Sequence, residues 1–307
     1  MKITAVTTLY CSEPYVQEFY QRVVAAIKNV TGDYELIFVN DGSPDRALQI
    51  VLDIQKHDKN VVAIDLSRNF GHHRAMMTGL QHSSGDYVFL IDSDLEEKPE
   101  LFNVFWEELK GSEDVDVIYG VQHKRKGNWM ERVSGRLWYL LFSALADIDY
   151  PADSLTARLM SKRYVESVVK FDEKELELWG VFVLTGFNQK SVTITKGNKG
   201  STTYSLSKKV KMMVNSVTSF SSTPLVSFFV LGLAMTLVAA AFIVYLLVQR
   251  FIYDEVVEGW TSTLVSLWFI GGLLIFSLGV IGIYLSKMFL EIKNRPLTII
   301  RRIHRGQ

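Results

Sequence analysis

Cysteine is almost missing from this chain: Cys11 stands alone in 307 residues. No disulfide can close within one chain, which is compatible with a reducing cytosol around the main domain. Net charge is missing as well, because 33 Lys and Arg balance 33 Asp and Glu. Nothing in that balance points to a nucleic acid as partner, and none is expected. Residues 1–8 lack the basic region and long apolar core of a signal peptide and are read as a first strand. No Gly-x-Gly-x-x-Gly follows that strand, which removes a dinucleotide oxidoreductase. Internal repeats and low-complexity tracts are also absent.

What the chain does have is apolar length near its C-terminus. Residues 225–248 and 264–285 contain no charged side chain. Each run exceeds the roughly 20 residues that carry a helix across a bilayer. The segment between them holds Arg250 against Asp254, Glu255 and Glu258, whereas the outer flanks are basic, with Lys208, Lys209, Lys211, Lys287, Lys293, Arg295, Arg301, Arg302 and Arg305. The positive-inside rule then predicts a multi-pass protein of the cytoplasmic (inner) membrane, with both termini and the main domain cytosolic. Trp260, Tyr253 and Tyr284 fall where an aromatic belt is expected. The expected organisation is a catalytic domain over 1–204, an amphipathic interfacial helix over 205–224, membrane helices over 225–248 and 264–286, an external loop over 249–263 and a basic tail over 287–307. A second interfacial helix is predicted over 129–147, where Trp138, Leu141, Phe142 and Leu145 share a side near Arg132 and Arg136.

The first two hundred residues alternate between two periodicities. β-rich runs over 2–9, 35–39, 61–65, 87–91 and 115–119 predict strands, and 13–30, 44–57, 74–82 and 99–110 predict helices. Ser43 followed by Pro44 suits a helix N-cap and first turn. Such alternation predicts an α/β fold with a mostly parallel sheet and helices on both faces. Ligands on these sheets bind beyond the carboxyl ends of the strands, so the strand-end motifs come next.

The second strand ends in Asn40-Asp41-Gly42-Ser43, which suits either a base or ribose contact or an ordinary Asx turn. The fourth strand ends in Ile91-Asp92-Ser93-Asp94. A turn after the strand can bring both carboxylates toward one hard cation, Mg2+ or Mn2+, which takes one or two carboxylates plus substrate phosphates. Between these motifs lies Ser67-Arg68-Asn69-Phe70-Gly71-His72-His73. The two histidines have no matching Cys or His cluster elsewhere and are read as polar loop residues.

Together these motifs resemble glycosyltransferase family two, and within it the polyprenyl-phosphate glycosyltransferases such as dolichyl-phosphate mannose synthases and bactoprenol glucosyltransferases. Asn40-Asp41-Gly42-Ser43-Pro44-Asp45 is similar to the family's Asp-Asp-Gly-Ser-x-Asp, and Ser67 to Gly71 to its Ser-Arg-Asn-Phe-Gly. Asp92-Ser93-Asp94-Leu95-Glu96-Glu97-Lys98-Pro99-Glu100 is similar to Asp-Ala-Asp-Leu-Gln-Asp-Pro-Pro-Glu. Thr223-Pro224-Leu225 and Asn294-Arg295-Pro296 bracket the membrane hairpin as in bacterial members. The resemblance implies a Rossmann-like GT-A fold, a divalent metal and inverting transfer from a nucleotide-sugar to a lipid phosphate. It implies that Asp94 is the principal metal ligand with Glu96 beside it, and that Asp41, Asp92, Ser93, Ser67, Arg68, Asn69 and Gly71 contact the nucleotide-sugar. Tyr10 and Glu13 remain from a first-strand loop that otherwise departs from the family's Pro-x-Tyr-Asn-Glu. The family's Asp-x-Gly-Asp-Phe-Arg-Leu-Met stands here as Asp153-Ser154-Leu155-Thr156-Ala157-Arg158-Leu159-Met160, so Thr156 replaces the second Asp.

A lipid monophosphate, with a second pKa near 6, needs position and charge compensation more than it needs a base. Arg136 and Arg158 are the candidates for binding that phosphate during catalysis, with Lys124, Arg125 and Arg132 behind them, and Asp153 is expected to orient acceptor or sugar. The expected donor is UDP-glucose, with UDP-linked N-acetylhexosamine or galactose as alternatives, and the expected acceptor is undecaprenyl phosphate, in service of a cell-envelope polysaccharide. Further implied partners are the bilayer, a homo-oligomer (a tetramer), a flippase and a downstream transferase. A processive polysaccharide synthase lacks support, since no Gln-x-x-Arg-Trp is present. A catalytically degenerate nucleotide-binding scaffold for a lipid-sugar flippase is the second reading.

Overall fold

The computed structural model describes residues 1–122, 154–174, 176–194, 218, 221–252 and 259–306. The chain divides into two compact units, one holding the N-terminal α/β region together with residues from 294 onward, the other holding the long C-terminal helices.

In the first unit, eight strands make one sheet. They are β1 (Ile3–Leu9), β2 (Tyr34–Asn40), β3 (Val61–Leu66), β4 (Tyr87–Leu90), β5 (Val117–Gln122), β6 (Ser154–Ser161), β7 (Gln189–Ile194) and β8 (Ile300–Arg305), ordered β7-β5-β6-β4-β1-β2-β3-β8. Strand β1 lies parallel to β2 and β4, and β2 parallel to β3. Strand β6 runs antiparallel between β4 and β5. Reversal of strand order at β1 opens a crevice at the carboxyl ends of β1, β2 and β4, the place where such sheets seat ligands.

Helices cover both faces because each carries apolar residues at helical spacing. Helix α1 (Val16–Lys28) buries Val16, Phe19, Val23, Val24 and Ile27 with Ile3, Ala5, Leu9 and Phe38, joined by Phe102 and Phe105 of α4 (Leu101–Lys110). Phe19 meets Phe38 edge-on at 6.0 Å; truncating such a buried ring costs about 3–5 kcal/mol. On the opposite face, α3 (His72–Gln81) sets Ala75, Met76 and Leu80 against Val6, Ile37 and Val39. Gly79 lets that helix approach, since a Cβ there would collide with the Val6 side chain. Helix α2 (Ala47–Gln55) packs on the face covered by α1, and the short helices α5 (Lys162–Val168) and α6 (Leu178–Leu184) pack in the cluster that holds α3.

Two expectations are corrected. Ser43 and Pro44 do not start α2, which begins at Ala47. The Ser43 hydroxyl instead donates to Asp45 at 2.6 Å and accepts from the Cys11 amide at 2.8 Å, and the same Asp45 oxygen accepts from the Ala47 amide. The tail is not free along its length: residues 300–305 form β8, antiparallel to β3, and the Ser67 amide donates to the Ile299 carbonyl.

In the second unit, α7 (Thr223–Ile252) and α8 (Trp260–Ile292) meet through Phe228 and Phe276, whose rings lie 5.4 Å apart. Tyr284 donates its hydroxyl to the Ser221 carbonyl. Their outward surface is apolar, with Trp268 80% and Ile275 74% exposed, the reverse of a soluble core. Among the described residues, one stretch, Ser266–Ile292, is long and apolar enough to cross a membrane by length and composition; in α7 the apolar stretch is Thr223–Ala239. Residues 129–147 and 205–217, expected to be interfacial, lie outside the described residues.

Candidate active site

Three strand-end loops are tied together before any ligand is considered. Buried Asp41, just after β2, accepts from the Phe70 amide at 2.7 Å through one carboxylate oxygen and from the Gly71 amide at 3.0 Å through the other. Its first role is therefore to hold the 67–71 loop. Gly42 makes the approach possible: φ is +62° and an added Cβ would lie 2.5 Å from the Asn69 amide nitrogen, which only glycine tolerates. The first-strand loop joins through Glu13, whose carboxylate takes the Arg46 amide and guanidinium, and whose amide donates to Asp45. Those bonds from Arg46, backbone first, hold the Glu13 carboxyl below its ordinary value. Tyr10 projects from the same loop and is exposed.

Beyond β4, Ser93 is buried and donates to the Thr8 carbonyl at 2.9 Å. Asp92 is gripped from two sides. The Thr156 hydroxyl donates to one oxygen at 2.8 Å, and His72 Nε2 lies 3.2 Å from the other. The second His72 nitrogen sits 3.1 Å from the Thr8 hydroxyl. Burial alone would lower the His72 pKa, but the bond to Asp92 and the charges of Asp92, Asp41 and Asp94 outweigh it and hold the imidazole above its ordinary value. His72, read above as a polar loop residue, is thus the first residue of α3 and a partner of the aspartate motif. Asp94 accepts from the Glu96 amide at 3.0 Å in a turn where Leu95 takes φ 61°.

Glu97, which the motif reading passed over, closes this corner. It is 2% exposed, and its two oxygens accept from the amides of Thr156 and Ala157 at 3.2 and 2.6 Å. The start of β6 is thereby fixed against the Asp92–Asp94 turn. An acidic residue one place after Glu96 was the visible signal; its partners lie on a distant strand.

A second region flanks this rim. Arg158, one of the phosphate candidates, is 2% exposed. Its guanidinium lies over Phe182 at 3.7 Å and Trp179 at 4.7 Å, both on α6 (Leu178–Leu184). His73 meets Trp179 edge-on at 5.8 Å and accepts from the Leu178 amide. Burial, helped by the charge of His72, drops the His73 pKa to about 4, while burial pushes Glu177 up to about 6. Of the other acceptor-side residues, Lys124, Arg132, Arg136 and Asp153 lie outside the described residues.

The rim offers oxygen ligands of the kind a hard divalent cation prefers. Among the described residues no three His, Cys, Asp or Glu side chains gather as a closed cage. Asp92, Asp94 and Glu96 are carboxylates of the type such a cation takes when substrate phosphates complete its shell.

Residues 4–169 match Glycosyl transferase family 2. The chain belongs to that family. A Mycobacterium tuberculosis protein named as a glycosyltransferase is 47% identical over 99% of this chain and 89% of its own length. The bactoprenol glucosyl transferase of Shigella phage SfII is 28% identical over 100% of this chain and 99% of that protein. Mannosyl-3-phosphoglycerate synthase from Rubrobacter xylanophilus gives a TM-score of 0.49 with 15% identity, covering 71% of this chain and 72% of that one. This family 2 glycosyltransferase carries its aspartate motifs after β2 and β4 of its mixed sheet, at the crevice its strand order creates.

Proposed function

We propose that this enzyme transfers a hexose, most simply glucose from UDP-glucose, to a polyprenyl phosphate at the cytosolic face of the membrane, with inversion at the anomeric carbon. The end-to-end match to a bactoprenol glucosyl transferase carries the reading. The exposed apolar helices support a membrane acceptor. Topology supports two crossings rather than one. The sheet lies before α7, and β8, after α8, pairs back into it. A segment that leaves and rejoins one sheet crosses the bilayer an even number of times.

In this reading Asp94 and Glu96 hold Mg2+ or Mn2+ together with the donor's diphosphate. When bound, that ion neutralises the departing nucleotide. Asp92 is fixed by Thr156 and His72 and orients the donor beside it. A lipid phosphate oxygen attacks the anomeric carbon opposite the nucleotide; the new C–O bond forms as the bond to the diphosphate breaks, and the anomer inverts. The acceptor arrives already ionised, so Thr156 in place of a carboxylate removes no required proton acceptor. Arg132, Arg136 and Lys124 compensate the acceptor charge, and Asp153 orients it; Arg158, expected beside them, is 2% exposed against Trp179 and Phe182 and is left a supporting role behind that surface.

The test is a panel of UDP-glucose, UDP-N-acetylglucosamine and UDP-galactose against undecaprenyl phosphate, with and without EDTA, using the full chain in detergent. Glucosyl-lipid formation that EDTA abolishes is the expected result. Product insensitive to EDTA removes the metal. No product from any donor hands the chain to the flippase-scaffold reading.

A further inference from the structure

The C-terminal strand reaches farther into the enzyme than its place after the membrane helices suggests. Arg301 on β8 donates from one guanidinium nitrogen to the Ser67 carbonyl at 2.8 Å and lies 3.2 Å from Asp65 through the other. Asp65 is 4% exposed, and its second oxygen accepts from Asn40 at 2.8 Å. Asn40 in turn accepts from the Ser43 amide. An unbroken chain of bonds therefore runs from β8 through the end of β3 to the loop that carries Asp41.

The same groups line an open cleft of about 440 Å³, where Asn40, Asp65, Ser67, Arg68 and Arg301 are joined by Leu52. That volume falls within the ~300–1,000 Å³ of small-molecule sites. Arg301 keeps 61% of its side chain exposed. A guanidinium has five N–H donors, and the bonds to Asp65 and Ser67 fix its plane without enclosing it.

We infer that Arg301 is a donor-positioning residue: the return strand β8 builds one wall of the nucleotide-sugar pocket and sets the Asp65–Asn40–Asp41 loop for donor binding. The inference rests on the donor reading above. It implies that the membrane hairpin and the sugar-transfer site are not separable modules, since the segment after the hairpin completes the pocket before it.

Arg302 supplies the control, because it carries the same charge on the same strand, opposite Asp65 in the register, and does not line the cavity. In the full-length enzyme, Arg301→Ala is expected to raise KM for UDP-glucose about tenfold, with kcat and the lipid-phosphate KM within twofold of wild type. Arg301→Lys recovers part of the donor KM, and Arg302→Ala changes neither constant. Thermal unfolding in detergent, followed by intrinsic fluorescence, is expected to be within about 2 °C of wild type for all three. An unchanged donor KM in Arg301→Ala, an equal effect from Arg302→Ala, or an activity loss that follows a fall in unfolding temperature overturns the inference while leaving the donor reading intact. Failure of the wild type to use any nucleotide-sugar removes the donor reading and this inference with it.

Discussion

His72 and His73 are neighbours at the start of α3, yet they face opposite kinds of surroundings. His72 looks onto the carboxylate rim, where Asp92, Asp41 and Asp94 hold its pKa up against burial. His73 looks onto the aromatic shelf of Trp179 and Arg158, where burial drops it to about 4. One imidazole is drawn toward its cationic form and the next is kept neutral. The comparison separates two tasks along one edge of the sheet. The rim gathers negative charge that a cation and a diphosphate can share. The shelf excludes water and packs the buried Arg158 guanidinium against the Trp179 and Phe182 rings.

The largest effect belongs to the rim. Asp94→Ala is expected to lower turnover of UDP-glucose by at least about 100-fold, the scale on which a group stabilising developing charge usually counts. Fold should be retained, because Asp94 has no place in the buried core. Near-normal turnover with a radiolabelled donor would sink the metal role and reduce the rim to loop architecture.

Thr156→Val sharpens the comparison more finely. It removes the hydroxyl that holds Asp92 and keeps both backbone bonds from Thr156 and Ala157 to Glu97. A hydrogen bond to a charged group is worth about 1.5–3 kcal/mol, so kcat is expected to fall about 10- to 100-fold. An unchanged kcat would mean that His72 alone orients Asp92.

Much of this edge was legible in the sequence. Strands β1 to β5 announced themselves as short β-rich runs and helices α1 to α4 through apolar spacing, whereas β6, β7 and the two short helices Lys162–Val168 and Leu178–Leu184 gave no such signal. Asp92 and Asp94 stood out because they end an apolar strand. What stayed hidden depends on contacts between segments far apart in the chain. Nothing local to His72 says that Asp92 sits against it, and Glu97 has the look of one more surface acid until the β6 amides meet it. Strand β8 was masked by its own sequence: Ile300-Arg301-Arg302-Ile303-His304-Arg305 carries the charges that an exposed edge strand needs, so it passed for a basic tail. The start of α2 was misplaced because Ser43 turned to Asp45 and Cys11 instead of capping a helix.

The smallest effect tests the shelf, and its sign follows from burial. Glu177 lies 3.8 Å from His73 Nδ1, and burial raises its pKa from the ordinary 4.5 to about 6. A carboxyl with a raised pKa favours the folded state while protonated; that advantage is complete below about 4.5 and is lost as pH climbs through about 6. Above that range the folded protein holds an ionised carboxylate in a site that disfavours charge. Glu177→Gln removes the charge and keeps the shape. Its unfolding temperature is therefore expected to match wild type near pH 4 and to exceed it at pH 8. The gap between 4.5 and about 6 amounts to about 2 kcal/mol at most, which for a domain of this size is a rise of a few degrees. Measured across pH by fluorescence-monitored unfolding, a difference independent of pH, or one of opposite sign, would show that Glu177 is stabilised by charge after all. The shelf would then be a continuation of the rim rather than its counterpart.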